Sequence, residues 1–174
     1  MELGPVDRIT TDAIGEPGSR IFYIQARAGK ELVTVTVEKQ QVQLLAASIL
    51  EILADVGLET GEGPPDEEME LEEPVEPLWQ AGRLSIGFEQ ERDLFLLEAE
   101  EFVPELEEDD PEQLLRAEPR VLRLWATREQ MLAVSRHGAA VVERGRPACQ
   151  FCGNPIDPRG HTCPAMNGHH PRTS

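Results

Sequence analysis

Apolar and polar residues alternate most regularly between Arg20 and Glu38. Arg20–Arg27 (RIFYIQAR) and Glu31–Glu38 (ELVTVTVE) are rich in β-branched and aromatic residues, and Ala28-Gly29-Lys30 joins them, which predicts a hairpin. Val33, Val35 and Val37 alternate with Thr34 and Thr36, the pattern of a strand with one face in a core. Upstream, residues 1–19 read as a lead-in with a short edge strand at Arg8-Ile9-Thr10-Thr11 and a turn at Gly15-Glu16-Pro17-Gly18. Beyond Lys39 the period changes. Val42, Leu45, Ile49, Ile52 and Val56 recur at steps of three and four, which predicts an amphipathic helix over 39–56 that ends at Gly57. Its stripe is expected to pack on the sheet rather than to fill a partner's groove.

The pattern then lapses. Residues 59–77 hold nine acidic residues, four prolines and two glycines, too little apolar surface to offset ordering entropy, so they read as a mobile or extended linker. A second hairpin follows. Leu78–Glu89 carries Leu84, Ile86 and Phe88 in alternation, and Leu94–Phe102 returns across a turn near Glu91-Arg92-Asp93. Glu105–Glu112 is a second acidic loop, with one helical turn expected at Pro111–Leu115, and Arg120–Ala126 is a fifth strand. Thr127 and Gln130 form a capping box that starts a second helix, carrying Met131, Val134, Val141 and Val142 and stopping near Gly145. Hairpins followed by helices predict an α+β fold: an antiparallel sheet of about five strands with two helices on one face. The expected organisation is a body over 1–145, with the acidic linker inside it, and a small zinc-knuckle tail over 146–174.

Charge divides the chain the same way. The net charge is −17 over 174 residues. Residues 1–115 hold 7 basic against 29 acidic residues, a balance of −22, and residues 116–174 hold 9 against 4, a balance of +5. An acidic surface of this size argues against nucleic-acid or anionic-membrane binding by the body. No apolar run approaches the roughly 18–20 residues needed to span a bilayer. The start, MELGPVDRIT, has neither a basic nor an apolar leader region, so the expected location is the cytoplasm.

The chemistry lies in the tail. Cys149, Cys152 and Cys163 all fall within 15 residues, with His161 among them, which reads as a metal site rather than a disulfide framework. Cys149-x-x-Cys152-Gly153 lets two thiolates face one ion from a tight turn. His161 and Cys163, two apart in an extended segment, point the same way. Together they make a closed Cys₃His set suited to structural zinc, since iron–sulfur clusters prefer four thiolates. His169 or His170 in place of His161, free thiols with no metal, and a redox CxxC pair remain open; Gly153-Asn154-Pro155 argues against the helix that a redox pair needs.

Other candidates are weaker. His137, before Gly138 in the second helix, reads as structural, and the acidic runs read as solvated faces. No phosphate-binding, dinucleotide-binding or nucleophile-elbow motif is present. Tyr23 with Arg27, or Trp125 with Arg128, are possible pocket walls.

The segments GEPGSRIFYIQARAG and VEKQQVQLLA and the terminal CxxCGxPxDPxGHxCPxxNGH together resemble a bacterial family of conserved hypothetical proteins, a domain of unknown function. The resemblance implies no established activity. It implies a shared pathway with a histidine-phosphatase-like phosphomutase and a lipid-kinase-like protein, whose genes neighbour those of the family. It also favours His161 over the later histidines, because Cys149, Cys152, His161 and Cys163 match the tail motif. The leading expectation is a zinc-binding, non-enzymatic adaptor that meets a protein partner. The alternatives are an enzyme or small-ligand domain acting on a phosphorylated metabolite through Arg27, Lys39 and Arg128, and a nucleic-acid-associated regulator that uses the basic tail.

Overall fold

The computed structural model describes residues 1–104 and 118–144. Among these the order is β1 (Glu2–Leu3), β2 (Arg8–Ile14), β3 (Ile21–Ala28), β4 (Glu31–Val37), α1 (Lys39–Val56), β5 (Ala81–Glu89), β6 (Leu94–Glu101), β7 (Val121–Ala126) and α2 (Arg128–Arg144). The fold is α+β with two helices, as expected. The strands form two sheets rather than one, in the orders β1-β7-β6-β5 and β2-β3-β4. The expected second acidic loop at 105–112 and the helical turn at 111–115 lie outside the described residues. No described helix is long and apolar enough to cross a membrane.

Two differences from the single five-stranded sheet have physical causes. The lead-in contributes β1, two residues that pair in parallel with Arg123 and Leu124 and bury Leu3. A run that short carries no period. The expected edge strand is a full seven-residue β2, antiparallel to β3. The sheets are stitched at both ends. Leu78 N–H donates to Thr34 O at 2.7 Å and Thr36 N–H to Trp79 O at 3.1 Å, while Val6 N–H reaches Trp125 O at 2.9 Å and Asp7 N–H reaches Arg27 O at 2.8 Å. Buried residues from both sheets and both helices therefore form one cluster.

Alternation sets what each sheet face meets. In the four-stranded sheet Phe95, Leu97 and Ala99 of β6 stand opposite Ala126, Leu124 and Leu122 of β7, all buried, while Glu98 faces Arg123 on the outer side. The three-stranded sheet is buried on both faces. Ile9-Ala26-Val33 and Thr11-Ile24-Val35 form rows across its apolar face. A Cβ on Gly138 would lie 3.0 Å from Thr11 Cγ2 and 3.2 Å from Val42 Cγ1, so α1, α2 and β2 meet there and leave no room for a larger residue. The other face is polar and carries the row Thr10-Gln25-Thr34, each at most 2% exposed.

That polar face is roofed by residues 59–77. The expected linker is extended, with one 3-10 turn at Asp66–Glu68, and it is fastened down along its length. Gln25 Nε2 donates to Glu72 O at 3.0 Å and to Thr34 Oγ1 at 3.1 Å, and Gln25 Oε1 accepts from Glu72 N–H at 2.7 Å. Thr10 Oγ1 donates to Met69 O at 2.5 Å, and the Arg8 guanidinium donates to the carbonyls of Glu68 and Glu70. Met69, 1% exposed, plugs the core from this side. Gly63, with φ of 74°, runs so close to α2 that a Cβ would overlap the Glu129 carbonyl. The segment is a strap rather than a free linker, because a buried polar face needs partners and the strap's backbone supplies them.

Both helices begin, and α1 ends, where the sequence places them. Thr127 N–H donates to Gln130 Oε1 at 2.9 Å and Gln130 N–H to Thr127 Oγ1 at 3.1 Å, so the capping box forms. Gly57 closes α1 with φ of 69°.

Gln25→Leu keeps the volume but strips the strap of its partner, leaving the N–H and C=O of Glu72 unpaired. Each orphaned polar group costs about 1–3 kcal/mol. Urea unfolding should show a loss of roughly 2–4 kcal/mol; a loss too small to measure would mean the strap is not held through Gln25.

Candidate functional site

The strongest cluster of titratable groups in the described residues joins three elements. α2 presents His137 on its buried face, next to Gly138, where close packing against β2 brings the ring to the strand's edge. β2 supplies Asp12, which lies on the same face as Thr10 by alternation. The strap supplies Asp66 at the first position of its 3-10 turn. His137 Nδ1 lies 2.5 Å from Asp66 Oδ1, and Nε2 lies 3.4 Å from Asp12 Oδ1. The second approach is an ion-pair distance, and Nε2 has no hydrogen-bond partner. Asp12 Oδ1 is itself fixed, accepting the Ala13 N–H at 2.9 Å. The imidazole is 4% exposed and Asp66 is 65% exposed.

The electrostatics follow from this placement. Burial opposes charge on His137, but the two carboxylates outweigh it and hold its pKa above the ordinary histidine value. Asp66 is held below the usual carboxylate range, chiefly by its hydrogen bond from His137 and further by the charges of His137, Arg144 and Arg136. Arg144 Nη2 stands 3.9 Å from Asp66 Oδ2, and Arg136 donates to the Glu62 carbonyl. A cavity of about 270 Å³ opens beside the cluster, walled by Pro64, Pro65, Asp66, Met69, Arg136 and His137. Both imidazole nitrogens face carboxylates, which favour the protonated ring.

The residues singled out in the sequence are placed differently. Cys149, Cys152, His161 and Cys163 lie outside the described residues, as do His169 and His170. Arg27 and Arg128 are not gathered into a metabolite pocket with Lys39. Arg27 Nε donates to both carboxylate oxygens of Glu72, at 3.1 and 2.9 Å, near the end of the strap. Arg128 donates to Glu59 O and Thr60 Oγ1 at its start, at 2.8 and 2.9 Å, and to Asp93 at 2.7 Å. The two arginines that suggested a phosphate site instead fasten the strap at each end, since carboxylates and carbonyls already lie within reach. Trp125 donates to Glu2 Oε2 at 2.9 Å under the Arg92 guanidinium. Tyr23 stands opposite Asp12 in the β2–β3 ladder.

The structural reading of His137 understated its surroundings. Asp66 lies 71 residues away in sequence, so no local spacing announces the pair.

The sign of the pH dependence follows from the two shifts. A raised His137 pKa contributes stability that is fully present below the unfolded histidine value and is lost as pH rises through the folded one. A lowered Asp66 pKa contributes stability present above the unfolded carboxylate value and lost as pH falls through the folded one. The wild-type urea midpoint should therefore decline on the alkaline side of the histidine range. His137→Gln should flatten that decline and also weaken the Asp66 part of the acid limb, since His137 is the chief cause of the Asp66 shift, and an unchanged alkaline slope in the variant would refute the assignment.

No curated protein and no solved structure matches the chain significantly. A family model matches residues 1–163, covering every described element and the cysteine-rich segment through Cys163. The chain belongs to the family described as "Protein of unknown function (DUF3090)".

Proposed function

We propose that the protein is a non-enzymatic adaptor that carries a structural zinc ion in its tail and meets a protein partner through the tail or the acidic surface of the body. Cys149, Cys152, His161 and Cys163 hold the metal as a closed tetrahedral set, which leaves no open position for a reacting water. The observation that carries the reading is the spacing Cys149-x-x-Cys152 with His161-x-Cys163, all four of which lie within the residues that the family model matches. Two further observations support it. The buried histidine of the body is spent bridging carboxylates rather than serving as a base. The strap turns Glu67, Glu68, Glu70, Glu73 and Glu76 to solvent, an acidic surface suited to a protein with a basic face and repulsive to nucleic acid. A reducing cytoplasm completes the reading, because it keeps the thiols available to metal.

Elemental analysis of protein expressed with zinc under reducing conditions should find about one zinc per chain. Cys149→Ser should lose the metal while the unfolding transition of the body persists, because the described core is complete without the tail. Affinity capture by the zinc-loaded chain should retain a protein that Cys149→Ser or a strap with Glu67, Glu68 and Glu70 changed to Gln releases. Absence of zinc overturns the metal site, and capture indifferent to both changes overturns the adaptor role.

A further inference from the structure

The strap is pinned at both ends and crossed in the middle by one titratable bridge. Arg128 holds Glu59 and Thr60, and Thr10 and Arg8 hold Met69 and its neighbours. Between those anchors, residues 61–68 are an arch that meets α2 at Glu62, Gly63 and Asp66 and forms one wall of the cavity of about 270 Å³. We propose that His137 and Asp66 form a pH-operated latch, which keeps this arch closed over the cavity while the imidazole is protonated and releases it when the imidazole is neutral.

The argument is one of proton count. A neutral imidazole carries a single N–H, and here a carboxylate faces each nitrogen. On deprotonation the one remaining N–H can stay on Nδ1 and keep its bond to Asp66, but the imidazolium charge that draws in Asp66 is lost and the Nε2 lone pair faces Asp12. Asp12 cannot retreat, since it sits within β2, is 20% exposed and accepts a backbone N–H. Asp66 can, since it is 65% exposed on a three-residue turn. The contact that weakens is therefore the one to the strap.

The groups facing the imidazole from each neighbour are Asp12 of β2, Asp66 of the strap, and Arg136 and Arg144 of α2 beyond Asp66, with Glu62 engaged through its carbonyl. The arginines stay charged throughout this range, so they set the residual closed population and His137 sets its pH dependence. Opening exposes Met69 and Ala133 in the cavity wall without releasing the Gln25–Glu72 bonds farther along. This goes beyond the adaptor reading and needs no zinc.

The test is hydrogen exchange of the full chain followed by mass spectrometry across about pH 5 to 9, corrected for intrinsic exchange rates, with His137 titrated in parallel by NMR. Protection of the Glu68 and Met69 amides, which the 3-10 turn hydrogen-bonds to Pro65 O and Asp66 O, should be lost as pH rises through the His137 titration. Protection of β3 and β4 should hold steady. Asp66→Asn changes only an exposed side chain, so it should fold; it should lower the His137 titration point and shrink the pH dependence of the arch. If His137 does not titrate in that range, or titrates while the arch keeps its protection, the latch is overturned and the contact is a static ion pair.

Discussion

The fold depends on giving partners to a buried polar sheet face. Thr10, Gln25 and Thr34 form a row across β2, β3 and β4, and water is excluded from it. Nothing apolar can cover such a row without orphaning donors and acceptors, at a cost comparable to the stability of a small domain. The strap resolves this by presenting backbone rather than side chains. The Gln25 amide pairs with the Glu72 backbone as a neighbouring strand would, and the Thr10 hydroxyl takes the Met69 carbonyl. Roof and sheet are thus mutually specified, since a strap shifted by one residue would misplace Met69 and break both contacts.

The same constraint explains why the strap is acidic. Its backbone is committed inward, so its side chains point largely outward, and an exposed surface of glutamates stays solvated. Its carboxylates also meet cations on the body: Glu72 meets Arg27 and Arg8, and Asp66 meets His137. Arginine suits this task because its planar fork can satisfy two acceptors at once, as Arg8 does with the strap carbonyls of Glu68 and Glu70. Pairs such as Arg120 with Glu101 lie in water and contribute little by comparison. Nine of the chain's 33 acidic residues lie in the strap, so part of its negative charge follows from how one sheet face is covered.

Legibility in the sequence tracks the range of the interaction. Both hairpins, α1 with its glycine stop and the Thr127–Gln130 cap are local, and each signal lies within a few residues of what it specifies. The division into two sheets was not legible, because it depends on stitches such as Leu78 to Thr34 that alternation does not encode. The strap was read as a linker because composition measures apolar content, whereas its stability comes from backbone hydrogen bonds to residues 45–60 positions away. The alternation of Thr34 and Thr36 with valines marks a strand with one face in a core, but it does not show that Thr34 on the other face is buried too. The cysteine and histidine spacing of the tail lies outside the described residues.

Residue 144 connects these two kinds of feature. α2 runs from the His137 bridge to Arg144, where the chain continues toward Cys149. Arg144 also stands 3.9 Å from Asp66, so the root of the tail and the turn of the strap share one carboxylate. By linkage, whatever the tail does to the position of Arg144 biases the charge state of Asp66, and the strap biases the tail in return. The two influences on Asp66 differ in size. The Arg144 guanidinium is solvated and its attraction is screened by salt, while the imidazole is buried and in hydrogen-bond contact. The bridge to His137 is therefore the stronger hold on Asp66, and the Arg144 pair the weaker one.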